Sequence, residues 1–274
     1  MRHWIILPIL LMSLVACDGD QLVPANAPPA GSQPQTDNGQ PTPPTADELL
    51  AQLEQAGREH PAIQADTEYK VDQQLTGDSE HRSGSVKYQA DTPERPAMFY
   101  VVFNTLKLGE GPTMADKVEY AFDGHWLTIA KHRIKQMTRY EVAPAGERVE
   151  AFKLGKGPFP LPFGQTAETM NKYFVATTEP AGQDAPQNSD CLLLLPRDEY
   201  AEELNFTRLA MWVDRTSHLP VKLISADKSE NITTVSFTNI DSSPSFNEAD
   251  FHPRRPAGWQ YSQESLHQAD NIAP

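Results

Sequence analysis

From Thr67 to Ile240 the apolar residues recur mostly at every second position, in short runs separated by turn residues. That period belongs to strands with one face on a core. The first half holds Glu68 to Leu75, Ser83 to Gln89, Met98 to Phe103, Val118 to Phe122, Trp126 to Ile129 and Lys135 to Val142. The second holds Cys191 to Leu195, Asn205 to Asp214, Val221 to Ala226, Ile232 to Ile240 and a piece near Phe251. These runs predict roughly nine to eleven strands. Their connections are short, so the strands should be antiparallel neighbours. The expected fold class is mainly β (α+β), one strongly curved sheet with helices on its concave side.

Two helices are legible. Thr45 and Glu48 have capping-box spacing, Leu49, Leu50, Leu53 and Ala56 form one stripe, and Gly57 supplies a stop. A helix over 46–56 follows, and a short one over Ala167 to Tyr173. Asp123-Gly124 between Phe122 and Trp126 is the clearest hairpin signal. Met98 to Phe103 is apolar at both parities, so both faces of that strand need cover: a core on one, a helix or a ligand on the other. Gly155 to Gln165 carries Pro158, Pro160 and Pro162, which exclude a central strand, yet Phe159, Leu161 and Phe163 also need cover. Such a segment lies over a groove or a core.

The N-terminus gives an address. Arg2 precedes an apolar run from Trp4 to Leu14, too short for a span of about 20 residues. The run ends Leu14-Val15-Ala16-Cys17, which resembles the lipobox of bacterial lipoproteins. We expect a lipoprotein signal peptide over 1–16, lipidation of Cys17, and a lipid-anchored linker over 17–45. Seven prolines with Gly, Ser, Asn and Gln, and no aromatic, make residues 18–44 a tether that cannot bury enough apolar surface to order itself. The folded domain is expected over 46–260 and a flexible tail over 261–274. Asp18 resembles an inner-membrane retention signal; an outer-membrane anchor is the alternative. The expected location is the cell envelope, facing the periplasm.

The chain has 274 residues and a formal net charge of −14, which argues against a nucleic-acid partner. Two cysteines exclude a disulfide scaffold and a Cys-based zinc site. No Gly-x-Ser-x-Gly elbow and no His-Glu-x-x-His are present. His125 and His132 are read as solvent-facing strand residues rather than a metal pair, and Cys191 as a buried inert thiol. No carboxylate is read as standing in an apolar stretch that would raise its pKa. No cofactor, metal or catalytic residue is expected.

Four segments in order are similar to the periplasmic lipoprotein carrier family and its outer-membrane receptor relatives, the localisation-of-lipoprotein proteins. They are Glu94-Arg95-Pro96-Ala97-Met98-Phe99; Phe122-Asp123-Gly124 with Trp126-Leu127; Leu192 to Pro196 followed by Asn205 to Asp214 and Leu219 to Ala226; and Phe251-His252-Pro253 with Pro256-Ala257-Gly258-Trp259. The resemblance implies an incomplete antiparallel half-barrel closed by helices, with an apolar cavity for acyl chains. It also implies that Arg95, at the family's strand-start arginine, fastens the helical lid. Two departures stand out. The carrier itself is soluble, whereas this chain looks anchored; the receptor uses an apolar residue on a protruding loop, a part that the Phe159 to Phe163 segment could play.

The expected function is therefore a membrane-anchored, non-enzymatic protein binding lipid or lipoprotein acyl chains. Its candidate cavity residues are Met98, Tyr100, Val102, Phe122, Leu127, Phe159, Leu161, Phe163, Phe174, Leu193, Met211, Trp212 and Phe237. The second reading is a sensory or regulatory module of the same fold, binding a membrane-protein partner in envelope stress signalling. A third is a hydrolase acting on an envelope ester.

Overall fold

In a computed structural model the described residues are 43–142, 154, 161–180, 182 and 184–265. The expected signal peptide, Cys17, most of the tether, and Phe159 lie outside them. The first element is helix α1, Ala46–Glu59, with the Thr45–Glu48 capping box formed in both directions. Gly57 does not stop this helix. It sits within the last turn, and the helix ends at His60, where Pro61 disfavours a further helical residue.

Six strands follow: β1 (Ala62–Asp72), β2 (Ser79–Gln89), β3 (Met98–Leu108), β4 (Met114–Phe122), β5 (Trp126–Lys131) and β6 (Gln136–Glu141). Helix α2 (Ala167–Tyr173) precedes β7 (Phe174–Glu179), β8 (Ser189–Pro196), β9 (Arg208–Asp214), β10 (Pro220–Ala226), β11 (Ile232–Asp241) and β12 (Gln260–Glu264). All twelve strands form one sheet, ordered β12-β6-β5-β4-β3-β2-β1-β11-β10-β9-β8-β7. It consists of two antiparallel meanders, β1–β6 and β7–β11, joined where β1 pairs with β11. The sheet does not close, and the two helices lie on its apolar side: an incomplete half-barrel, as expected.

Three local differences have physical causes. Strand β7 reads poorly in sequence because it is a half-exposed edge of small and hydroxyl residues, Val175-Ala176-Thr177-Thr178. The piece near Phe251 is a 3-10 turn, Glu248–Phe251, because Asn247 and Asp250 cap each other's backbone. Gln260–Glu264 adds a strand past the expected domain end and pairs parallel to β6, the exception to the antiparallel rule.

Register shifts interrupt four strand pairs, and one of them requires glycine. The β2–β3 register shifts between Ser83 and Gly84, and a side chain at Gly84 would place Cβ 1.8 Å from the Val102 carbonyl oxygen. Only glycine lets the two backbones approach that closely.

The β3 segment is covered on both faces. Phe99, Val101 and Phe103 face the concave core. Met98, Tyr100 and Val102 point the other way, where the 3-10 turn carrying the fully buried Phe251 packs against β3. The second cover is thus the chain's own C-terminal segment. Lys87 ties that segment down through Asp250 at 3.1 Å and lies 5.5 Å over the Phe246 ring.

Because Gly57 is interior to α1 and a Cβ there would meet Gly164 at an ordinary 3.9 Å, Gly57→Ala should stabilise the domain. The expected gain is about 0.5–1 kcal/mol, from reduced unfolded-state entropy. Urea unfolding checks it; a loss of stability would show that α1 sits against the 162–167 segment with no room to spare.

Candidate functional site

The concave face is built from every second residue of both meanders. From one side come Ile63, Ala65, Val86, Tyr88, Phe99, Val101, Phe103, Phe122 and Leu127; from the other Leu192, Leu194, Leu209, Met211, Val213, Leu223, Val235 and Phe237. Alternation brings these side chains onto one surface, because the register across β1 and β11 pairs Thr67 with Phe237 and so keeps inward residues in phase.

Over this surface lies a layer of separate pieces. Helix α1 contributes Leu49, Leu50 and Ala56, the 161–165 segment Leu161 and Phe163, and α2 Met170 and Tyr173; Leu154 is buried in the same core. Phe163 anchors the layer through ring contacts with Tyr88 at 5.8 Å and Phe237 at 5.1 Å. Gly164 (φ +71°) turns the chain directly over the Tyr88 hydroxyl, which a Cβ would meet at 1.9 Å. Burial pushes the Tyr88 phenol above its ordinary pKa, so it stays neutral. One polar link joins the two helices: the Ala167 N–H donates to the Glu54 carboxylate at 2.9 Å.

Where α1 meets 162–167 the layer leaves a cleft. Leu50, Leu53, Gly57 and His60 form one wall, Pro162 to Met170 the other, and Ile63, Tyr88, Met211 and Leu219 the floor. Its cavity volume is about 10 Å³, room for one water and far below the roughly 300–1,000 Å³ of a ligand pocket. Among the described residues this cleft is filled by the protein's own side chains.

The sequence-derived set divides by face. Phe122, Leu127, Leu161, Phe163, Phe174, Met211 and Phe237 lie together in the concave core. Met98, Tyr100, Val102, Leu193 and Trp212 stand at the opposite parity of their strands, on the convex side. Both parities of β3, β8 and β9 are apolar, so hydrophobicity alone did not choose the face. Arg95 begins the approach to β3 and pairs its backbone with Thr92; its buried Nε has no hydrogen-bond partner among the described residues.

The convex side holds a polar cluster that the sequence reading missed. Glu119 lies in an apolar stretch and is 5 % exposed. It accepts hydrogen bonds from the Tyr100 hydroxyl, from His132 Nε2 at 2.6 Å and from Lys117 at 2.9 Å. At the opposite parity of β4, beside Tyr69 and Tyr120 at the end of the concave face, Asp116 is equally buried and pairs with Arg82 at 3.1 Å and Arg133 at 3.4 Å. Glu119 stands in an apolar stretch, but its pKa is not raised, so the expectation of no carboxylate marked that way as a general acid is not overturned. Burial pushes the Glu119 pKa up, but the bonds from His132, Tyr100 and Lys117 outweigh it and hold the carboxyl below its ordinary value. A carboxylate so held stays ionised and does not serve as a general acid. Trp259 packs edge-on to His132 at 4.7 Å, which connects the cluster to the start of β12.

His125 has a different partner, Glu141 at 3.3 Å, so the two histidines do not converge. Among the described residues no group of three or more His, Cys, Asp and Glu side chains is placed to hold a metal ion. Cys191 is buried, and desolvation with Glu179 nearby pushes its thiol up to about 11. No described helix is long and apolar enough to cross a membrane.

No family model matches this chain, and no curated protein matches it. Among solved structures it is similar to an uncharacterized conserved protein from Thermus thermophilus, at 12 % identity and a TM-score of 0.46, over 80 % of this chain and 99 % of that one. It is also similar to a putative outer membrane lipoprotein-sorting protein domain from Vibrio parahaemolyticus, at 12 % identity and a TM-score of 0.37, over 76 % and 96 %. A third is a chain of the Pseudomonas aeruginosa MucA/MucB complex, at 13 % identity and a TM-score of 0.41, over 76 % and 61 %.

The Glu119 cluster gives a signed pH dependence. A carboxyl whose folded pKa is depressed contributes stability above its unfolded value near 4.5, and loses it as pH falls through the lower folded value. Glu119→Gln should cost roughly 2–3 kcal/mol at pH 7, the scale of charge-assisted bonds lost from a buried site. Urea titrations at pH 7 and pH 3.5 check this: the gap between wild type and variant should shrink at the lower pH. A gap that is constant with pH would mean that the glutamate acts by shape alone.

Proposed function

We propose that this chain is a membrane-anchored, non-catalytic envelope protein that takes up lipid or lipoprotein acyl chains between the curved sheet and its lid, in the manner of lipoprotein sorting. The observation that carries the reading is the make-up of the covering layer. A continuous apolar surface spanning both meanders is covered by two short helices and a proline-containing segment rather than by a second sheet. Such pieces can be exchanged for hydrocarbon with little change in apolar burial. Each methylene that replaces a lid contact regains about 0.8 kcal/mol. The cleft between α1 and 162–167 is where a chain would first enter, displacing Phe163 and Met170 as it does so. Cys17 would hold the protein to the membrane, and the proline-rich tether would let the domain stand off its surface.

Arg95 retains its proposed role as a lid latch. Its buried Nε, without a partner among the described residues, is a donor that a lid carbonyl could satisfy. Arg95→Leu should then increase the ligand retained on purification.

The small volume of this cleft supports the second reading as well: a regulatory module of the same fold that keeps its own lid in place and engages a membrane-protein partner. Native mass spectrometry separates the two. A Cys17→Ser chain carries no acyl group of its own and should move to the soluble fraction. After incubation with a bacterial lipid extract it should show lipid-mass adducts, and more of them in the Arg95→Leu background. Absence of any adduct after incubation would remove the lipid-binding reading. Continued membrane retention of the Cys17→Ser chain would remove the anchor.

A further inference from the structure

The cleft between α1 and 162–167 carries few polar side chains, and two of these are already engaged. The Thr166 hydroxyl caps α2, and the Gln165 amide donates to the Leu161 carbonyl at 3.4 Å. Tyr88, on the floor, is different. It is 8 % exposed, and among the described residues its hydroxyl has no hydrogen-bond partner. A buried tyrosine hydroxyl usually has one. Gly164 keeps the space over this hydroxyl free. Its φ of +71° favours glycine, and a Cβ there would fall 1.9 Å from the phenol oxygen. The cleft has room for one water, and a carbonyl oxygen is about that size.

Charge decides which group fits. The phenol is a donor: burial keeps it protonated, and Asp91 acts in the same direction. Among the described residues neither Lys nor Arg lines the cleft. An ionised carboxylate placed there would give up its hydration for one hydrogen bond and no counter-charge, which is unfavourable. A neutral acceptor loses far less hydration and gains the same bond. An acyl chain joined to a headgroup ends in such an acceptor, the carbonyl of an ester or an amide. A free fatty acid in mildly alkaline solution ends in a carboxylate.

We propose that Tyr88 donates its hydroxyl proton to the ester or amide carbonyl of a bound acyl group, so that the cleft selects conjugated acyl chains over free fatty acids. The assignment rests on the reading of the concave side as an acyl-chain site, and it names the ligand class of that site. The hydrocarbon lies inward, where it takes the place of Phe163 and Met170. The carbonyl stays at the cleft under Gly164, and the headgroup remains outside. Tyr88 is thus a specificity-determining residue, and the apolar surface supplies most of the affinity.

Isothermal titration of the full-length Cys17→Ser chain with methyl laurate, N-methyl lauramide and sodium laurate at pH 8.5 tests this. The three probes share one hydrocarbon chain and differ at the carbonyl end. The ester and the amide should bind at least tenfold tighter than laurate. Tyr88→Phe keeps the ring and removes the donor. It should weaken ester and amide binding about three- to tenfold, the scale of one hydrogen bond, and leave laurate unchanged. Because the hydroxyl has no partner among the described residues, the same variant should unfold at no lower urea concentration than wild type. Equal binding of ester and carboxylate, or ester affinity unmoved in Tyr88→Phe, would overturn the selectivity and leave the acyl-chain site standing. A Tyr88→Phe chain that unfolds earlier in urea would overturn it too, since the hydroxyl would then already be satisfied within the protein. Failure of all three probes to bind would remove the acyl-chain reading itself, and this inference with it.

Discussion

The pairing of β1 with β11 holds the molecule together. Each meander alone is a half-sheet with one apolar face and little to cover it. Eight paired positions from Gln64 to Asp72 join the two into one curved surface and keep their inward residues in phase. A one-residue slip there would turn Ile63, Ala65 and Thr67 outward and face the lid with Gln64 and Asp66. The large concave surface exists only because that register is kept. The lid exists because a surface of that size must be covered from water.

The two faces of the sheet are closed by different means, and this has functional weight. On the convex side of β3–β6 the chain's C-terminal segment lies down with Phe251 fully buried and is pinned by the Lys87–Asp250 pair. Beneath it Glu119, Tyr100, His132 and Lys117 satisfy one another. That side is a fastened structure with specific polar ties. On the concave side the cover is apolar, made of pieces, and linked between helices by the Glu54 to Ala167 bond. Arg197, just past β8, adds bonds from its backbone N–H to the Tyr173 carbonyl at 2.9 Å and from its Nε to the Asn171 carbonyl at 3.0 Å, so the ties of this cover sit at the ends of α2, and the proposed exchange for hydrocarbon would leave the sheet itself unchanged.

Much of this was legible in the sequence. The capping box at Thr45, the α2 span and the Asp123 hairpin depend on local chemistry, and the structure has each of them. Strand positions follow from alternation, since period two survives whatever the tertiary context. What could not be read was which parity faces inward where both are apolar. In Met98 to Phe103 the answer depends on the 3-10 turn at Glu248–Phe251, about 150 residues away in sequence, and in Cys191 to Leu195 on partners in β9. Glu119 escaped notice for the related reason that its partners come from β3 and from the β5–β6 turn, which no local pattern announces. The edge strand β7 was hidden because a half-exposed strand paired with β8 alone has little hydrophobic signal.

Exchange of the lid is the central claim, and amide hydrogen exchange on the full-length chain addresses it most directly. Residues of α1 and of 161–173 should exchange well before the amides of β1–β3 in the lipid-free protein. Their protection should change on adding a bacterial lipid extract while that of the sheet holds. A lid that exchanges as slowly as the central strands, and is untouched by lipid, would mean that the concave side is a permanent core.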